Sequence, residues 1–253
     1  MFSQELLSPF KSITLREMDG VKLLDRIDTK FVFPDEQLPA LLAELHQEYR
    51  VLEVNSRRGT QYRTLYFDTP GYRHFNDHQR DQFLRSKVRY REYVGSDLVF
   101  LEVKRKTGRG RTTKVRKRVP TMEMEMPAAH LAYVKRACDT NEPHAPQLMN
   151  SFHRLTFVHR ERRERLTIDT GVGFEREGAR AVLGPYCITE LKQQEGDPIS
   201  PFIALMERFG HKPTGMSKYC VGLWKLVPGM TRVAASGEFV EVPRSDHEER
   251  RAS

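Results

Sequence analysis

The sequence contains little cysteine and tryptophan and no long apolar run. Its three cysteines, Cys138, Cys187 and Cys220, lie far apart and form no C-x-x-C pair. That spacing argues against a zinc finger or a disulfide framework and is typical of a reducing compartment. No segment approaches the roughly 20 apolar residues that a membrane-spanning helix needs. The amino terminus lacks a basic segment followed by an apolar core, so no signal peptide is predicted and we expect a cytoplasmic protein.

Positive charge is what the sequence has in excess. Its 253 residues include 42 lysines and arginines against 34 aspartates and glutamates, which gives a net charge of +8 and a pI near 9.4. This excess favours an anionic partner, such as nucleic acid, a nucleotide, polyphosphate or an acidic membrane. The length suffices for one large domain or two small ones with a buried core.

Basic side chains recur at every second position in several strand-like runs. Successive side chains of a strand point to opposite faces, so residues two apart share a face. The clearest run contains Arg85, Lys87, Arg89 and Arg91. Similar runs contain Arg26 and Lys30, Glu102, Lys104 and Lys106, Lys114, Arg116 and Arg118, and Glu190 and Lys192. Because like charges on one face repel, the pattern indicates that these faces converge on a strongly anionic ligand.

The order of the patterns predicts an α+β fold of antiparallel hairpins with helices at their edges. Strands are expected at 62–69, 85–93, 98–106, 114–119, 152–159, 165–170 and 188–193, a turn at 108–110, and helices at 34–49, 128–137, 200–209 and 217–226. Closing the hairpins into a barrel would remove exposed strand edges and turn the charged faces inward. We expect an N-terminal segment (1–23), one domain (24–227) and a flexible C-terminal tail (228–253).

A channel lined by arginine and lysine with a few carboxylates suits a polyphosphate group. Arginine offers a planar fork of donors and lysine a point charge, while carboxylates can hold a divalent metal that bridges phosphate oxygens. Glu190 is the favoured metal ligand because it shares a strand face with Lys192, and Glu102, beside Lys104, is the second. The alternative is that both glutamates form ordinary solvated ion pairs with these lysines.

Other motifs carry less information. No G-x-x-x-x-G-K-S/T segment is present, which excludes a P-loop nucleotide site. His74 and His78 could meet on one helix face and bind a metal, although such isolated pairs are mostly surface residues. Ser217 and Lys218 form a candidate anion-binding pair at the start of a helix.

At these residues the sequence resembles the catalytic domain of the VTC (vacuolar transporter chaperone) family. That family is the polyphosphate polymerase branch of the triphosphate tunnel metalloenzymes, or CYTH superfamily. The resemblance spans about residues 24–226 and depends on the order and spacing of eight segments. They are 25–31, 64–69, 87–91, 101–106, Arg154, 165–170, 189–192 and 217–219.

The resemblance implies an antiparallel, eight-stranded closed β-barrel, a tunnel with flanking helices. Family members transfer the terminal phosphoryl group of ATP to a growing polyphosphate chain and release ADP, with manganese or magnesium as the divalent metal. Carried over to this sequence, the catalytic phosphate-binding residues would be Lys30, Arg89, Arg91, Lys104, Arg154, Arg165, Lys192 and Lys218, with Glu190 at the metal.

A polymerase also needs basic residues beyond the triphosphate, to hold the polyphosphate chain. The candidates are Arg26, Lys87, Lys106, Lys114, Arg116 and Arg118. Hydrolytic and cyclase members of the superfamily typically begin with Glu-x-Glu-x-Lys, whereas this chain has Arg26-x-Asp28-x-Lys30, which resembles the polymerase branch.

Two alternative functions stay open. One is a tripolyphosphate or nucleoside triphosphate phosphohydrolase on the same tunnel. The other is a non-catalytic binder of polyphosphate or RNA. Nucleic acid is disfavoured because Tyr90 falls on the face opposite Arg89 and Arg91, where it could not stack bases.

Overall fold

The computed structural model describes residues 4–19, 26–107, 112–194 and 200–230. The turn expected at 108–110, the first residue of the 25–31 motif and most of the expected tail (231–253) lie outside the described residues.

The described residues form twelve strands, six α-helices and two short 3-10 helices. The strands are β1 Lys11–Ile13, β2 Arg26–Pro34, β3 Tyr49–Val54, β4 Arg57–Arg58, β5 Thr60–Asp68, β6 Arg85–Tyr93, β7 Leu98–Lys106, β8 Thr112–Val119, β9 Ala145–His159, β10 Glu164–Arg176, β11 Ala179–Val182 and β12 Tyr186–Gln194. The α-helices are α1 Leu15–Asp19, α2 Leu38–Leu45, α3 Arg73–Gln79, α4 Ala128–Cys138, α5 Pro201–Arg208 and α6 Lys218–Leu226, and the 3-10 helices are Gln4–Leu7 and Asp35–Gln37.

Eight strands make one curled antiparallel sheet, in the order β2-β12-β10-β9-β5-β6-β7-β8. The predicted closed barrel is corrected to an open half-barrel, because no ladder joins β8 to β2 within the described residues. Both edge strands are basic, and β8 carries Lys114, Arg116, Lys117 and Arg118 on both of its faces. Charged edges resist pairing with another strand, which explains why the sheet ends there.

Apolar residues pack on the outer side of the half-barrel. Helices α2 and α5 cover β2 and β12, where Phe31, Phe33 and Leu191 are buried. Helix α4 covers β6 and β7 over Val88 and Leu101. These helices bury the strand phase opposite the charges, as the alternating pattern requires.

Helix α6 closes one end of the concave side. Its Tyr219 and Leu223 join Val32, Tyr66 and Phe152 in an apolar cluster. The helix approaches β9 and β10 closely at Gly222, where a Cβ atom would lie 2.4 Å from Leu148 Cδ2. Only glycine fits there. Gly222 therefore allows α6 to pack closely against β9 and β10, which carry charged residues of the concave side.

The expected helices agree with the structure except at 34–49, which is wrong at its carboxyl end. Helix α2 stops at Leu45, and Tyr49 begins β3, which pairs with β9. Tyr49 is in a strand because it pairs with His159 of β9, which is distant in sequence. None of the described helices is both long and apolar enough to cross a membrane.

Candidate phosphate-binding face

The strand register places the predicted residues on one concave face, called the inner face below. Lys30 lies opposite Glu190 in the β2–β12 ladder, and Arg89 lies opposite Glu102 in β6–β7. Directly opposite residues share a sheet face. By this register the inner face carries Arg26, Lys30, Lys87, Arg89, Arg91, Glu102, Lys104, Lys106, Lys114, Arg116, Arg118, Arg154, Arg165, Glu190 and Lys192, and Lys218 approaches it from α6.

Curling brings distant strands within electrostatic reach across this face. Lys104 on β7 is influenced by Glu190, Lys30 and Asp28 from the opposite side of the half-barrel. Burial and the neighbouring lysines lower the pKa of Lys104 below its ordinary value.

Glu102 lies under three cations on the β6–β8 side of the inner face. Its Oε2 accepts from Arg89 Nε at 2.9 Å and lies 2.7 Å from Arg89 Nη2, while Lys114 Nζ lies 2.6 Å from Oε1. Arg91 Nη1 is 3.9 Å from the same carboxylate. Burial alone would raise the pKa of Glu102, but Arg89, Arg91 and Lys114 outweigh it and hold the pKa well below its ordinary range.

Asp169 on β10 organises a second cluster. Arg154 donates to both carboxylate oxygens, at 2.6 and 2.7 Å, and Lys218 Nζ donates to Oδ2 at 2.5 Å. Burial opposes ionisation, yet these two cations lower the pKa of Asp169 to about 2. Asp169 therefore orients Arg154 and ties the start of α6 to the inner face.

Glu190 and Asp28 form a third group, which differs from the other two because it contains two carboxylates. Lys192 Nζ lies 2.8 Å from Glu190 Oε2 and 3.1 Å from Asp28 Oδ2, so one ammonium is shared between two carboxylates. Arg26 Nε donates to Asp28 Oδ1 at 3.0 Å. Burial disfavours the charged form of Glu190, but Lys192 and Lys30 reverse this and lower its pKa.

Many inner-face cations have no ion-pair partner among the described residues. They are Lys30, Lys87, Lys104, Lys106, Arg116, Arg118 and Arg165. Lys87 shows the consequence, because burial and the repulsion of Lys30 and Lys104 lower its pKa to about 7. A face with this much uncompensated positive charge attracts polyanions electrostatically.

Arg91 adds a buried hydrogen-bond donor to the inner face. Its side chain is buried, and its Nε has no hydrogen-bond partner within the described part of the chain. The guanidinium lies 5.3 Å from the centre of the Tyr62 ring, which Arg154 also contacts at 5.4 Å. The aromatic ring thus holds two arginines side by side.

The carboxylates differ in their fitness for a metal ion. Hard oxygen ligands suit magnesium and manganese. Glu102 contacts three cations and Asp169 contacts two, so the charge of both carboxylates is already compensated. Asp28 also contacts two cations, Arg26 and Lys192, whereas Lys192 is the one cation within 4 Å of Glu190 among the described residues, so the Glu190 carboxylate fits a divalent ion best once Lys192 turns to an anionic ligand.

Sequence reasoning missed Asp169, Tyr62 and the partner of Ser217. The spacing of four residues from Arg165 to Asp169, an even number, was the available signal, since it places both on one strand face. Ser217 accepts from Lys87 at 2.9 Å and caps α6, so the predicted Ser217–Lys218 pair does reach the inner face. The possible metal pair of His74 and His78 is replaced by other contacts, because His78 Nε2 lies 3.5 Å from Lys87 Nζ and His74 Nε2 lies 2.9 Å from His144 Nε2.

The family model of the VTC domain matches residues 25–227. The chain belongs to the VTC domain family.

Solved structures share the fold at low sequence identity. A candidate adenylate cyclase from Bacillus halodurans has a TM-score of 0.50 and 13% identity, over 80% of this chain and 97% of that one. A candidate adenylyl cyclase from Hippeastrum, for which a dominant triphosphatase activity is described, has a TM-score of 0.47 and 16% identity, over 80% and 98% of the two chains. No curated protein sequence matches this chain significantly.

Proposed function

We propose that the protein is a metal-dependent polyphosphate polymerase of the cytoplasm. It would transfer the terminal phosphoryl group of ATP to a polyphosphate chain and release ADP. The observation that carries the proposal is the set of cations without ion pairs on the inner face of a VTC domain. Three free, buried cysteines among the described residues accord with a reducing compartment.

The cations of the inner face fall into two groups: those that are held by a carboxylate and those that have no ion pair with a described residue. Arg89 and Arg154 are held by Glu102 and Asp169, so their positions are set before substrate arrives. Lys30, Lys104 and Arg165 have no ion pair with any described residue and would contact phosphate oxygens directly. Donors fixed in advance stabilise developing charge without reorganisation during the reaction.

Arg91 is the arginine best placed to contact the transferred group. Its unpartnered, buried Nε supports this role, since burying a donor without a partner costs about 1–3 kcal/mol. A phosphate oxygen would satisfy that donor and strengthen the contact with the positive charge.

Glu190, together with Asp28, would hold the divalent metal, and Glu102 would act as an orienting carboxylate. A divalent ion held by these residues would supply positive charge that stabilises phosphoryl transfer. Lys192, released from the two carboxylates, would then donate to phosphate.

The proposal of a polymerase requires that basic residues continue along the inner face beyond those that would bind the triphosphate. Arg116 and Arg118 on β8 follow Lys114 along the edge, and Arg116 stacks at 4.7 Å on the Phe100 ring. These residues, with Lys106, would guide the polyphosphate chain. Phosphohydrolysis remains the second candidate, but Asp28, a carboxylate that could orient water, is paired with Arg26 and Lys192.

Incubating the pure protein with ATP and Mn²⁺ tests the function. ADP, free phosphate and acid-stable polymer are measured together over time, with the Glu190→Gln variant as the inactive control. We expect the ADP released to equal the phosphate found in polymer, with little free phosphate early on. Free phosphate equal to ADP, without polymer, would establish the phosphohydrolase instead. No ADP release would leave only a binding function.

A further inference from the structure

A second group of metal-ligand side chains lies outside the inner face. His74 on α3, Cys138 at the end of α4 and His144 before β9 bring their ligand atoms within 4.8 Å of one another. All three side chains are buried. The group lies where the end of β5 pairs with the start of β9, because Asp68 faces Ala145 in that ladder.

The two imidazoles face each other through the same ring atom. His74 Nε2 and His144 Nε2 are 2.9 Å apart. His144 Nδ1 lies 3.1 Å from the carbonyl oxygen of Glu142 and donates to it. Because Nδ1 of His144 carries the proton that it donates, Nε2 has a lone pair that points into the cluster. Metal-ligating histidines are usually oriented by such a hydrogen bond.

The surroundings keep the ligands in the form that a metal requires. Burial lowers the pKa of His74 to about 4 and also lowers that of His144, so both rings are neutral. Burial raises the pKa of the Cys138 thiol, while Ser86, Arg105 and Arg73 act in the opposite direction. A bound metal ion would displace the thiol proton, and these neighbours would stabilise the thiolate.

Nothing in the proposed phosphoryl transfer uses these three residues. They belong to three segments that meet only through tertiary folding, and α3 also packs on β6 and α6. A shared metal ion would fasten α3, whose His78 touches Lys87 of the inner face, to α4 and β9.

We propose that His74, Cys138 and His144 bind a zinc-class transition-metal ion, with a solvent molecule as the fourth ligand. One thiolate with two imidazoles is a donor set that favours Zn²⁺ over the hard ions that suit the inner face. This proposal does not depend on the polymerase function.

Cobalt titration of the metal-free protein tests this site. The full chain is stripped with a chelator under reducing conditions and titrated with Co²⁺. Cobalt bound by a thiolate gives a sulfur-to-metal charge-transfer absorption, which carboxylate ligands do not. We expect this band to saturate at one ion per chain and to disappear when Zn²⁺ is added, with a higher Tm for the zinc form. Absence of the band at saturating cobalt would overturn the proposal.

Matched variants assign the ligands. The Cys138→Ser variant should lose the band, while Cys220→Ser, which removes another buried thiol, should keep it. Glu190→Gln should also keep it, which separates this site from the inner-face metal. If Cys138→Ser fails to fold, X-ray absorption of the zinc-loaded wild type decides: one sulfur and two imidazole ligands are expected, and a shell of oxygen atoms alone contradicts the site.

Discussion

Glu102 and Glu190 occupy equivalent places on the two sides of the inner face, yet their surroundings differ. The Glu102 side chain is 1% exposed and contacts three cations, whereas the Glu190 side chain is 20% exposed and directly contacts one. Both carboxylates have pKa values below the ordinary range, and both were candidate metal ligands from the sequence. The two glutamates differ in the number of cations that they contact directly, which is three for Glu102 and one for Glu190.

The difference supports two roles for residues of one strand pattern. A carboxylate enclosed by cations neutralises and orients them, so its removal leaves buried charges uncompensated. A carboxylate with one direct cation partner could exchange that partner for a metal ion. Substitution of each should therefore produce opposite effects on stability and turnover.

The largest expected effect is on turnover in Glu190→Gln. The amide keeps the size of the side chain but cannot supply the negative charge that holds a divalent ion. We expect near-complete loss of polymer synthesis with little change in Tm. Glu92→Gln, which removes a partly exposed partner of Arg63 on the opposite face of β6, is the control and should stay active. Retained activity in Glu190→Gln, or its unfolding, would remove the proposed distinction.

The second effect is on stability in Glu102→Gln. Leaving Arg89 and Arg91 buried without their counter-charge should cost about 3–5 kcal/mol in the free energy of unfolding, measured by urea denaturation. Because tripolyphosphate restores negative charge to this face, it should raise the Tm of the variant more than that of the wild type. A variant as stable as the wild type but unable to use Mn²⁺ would identify Glu102 as the metal ligand.

The Arg91→Lys variant tests a single proposed contact, the one between the Arg91 guanidinium and a phosphate group. Lysine keeps the charge but loses the planar fork that can bind two phosphate oxygens. We expect at least a tenfold loss of kcat/KM, equivalent to about 1.4 kcal/mol or more. Arg89→Lys should lose stability as well, because Arg89 already uses its fork on Glu102. Wild-type kinetics in Arg91→Lys would contradict a phosphate contact.

Replacing Arg116 and Arg118 together by serine should shorten the product while ATP binding is retained. Both residues lie exposed on β8, and neither has an ion-pair partner among the described residues. Lys114 is kept in this variant because it contacts Glu102. Product length is read on polyacrylamide gels, and polymer of unchanged length would exclude β8 as the chain-holding edge.

The smallest effect is a proton taken up on binding. The pKa of Lys87 is lowered from 10.5 to about 7, so at pH 8 this lysine is mostly neutral in the free protein. A polyanion favours its charged form, and binding should then take up protons. Between these two pKa values the unfolded chain binds more protons than the folded one, so stability should rise with pH. Calorimetry of tripolyphosphate binding in two buffers of different ionisation enthalpy measures the uptake, which Lys87→Met should reduce.

The sequence predicted the strand faces better than the closure of the sheet. Alternation from Arg85 to Arg91 was enough to place those side chains on one face, because the period of a strand is local. The open edge at β8, the end of α2 before Tyr49 and the pairing of Asp169 with Lys218 depend on partners distant in the chain. The His74–Cys138–His144 group could not be predicted for the same reason, since its members come from three segments.

The most direct test of the account is a crystal structure with Mn²⁺ and a non-hydrolysable ATP analogue. An anomalous difference map locates the manganese independently of the model for the ligand. We expect a peak beside Glu190 and Asp28, with the triphosphate lying along the inner face and an oxygen bonded to Arg91 Nε. Manganese beside Glu102, or a triphosphate bound away from the inner face, would contradict the central claim.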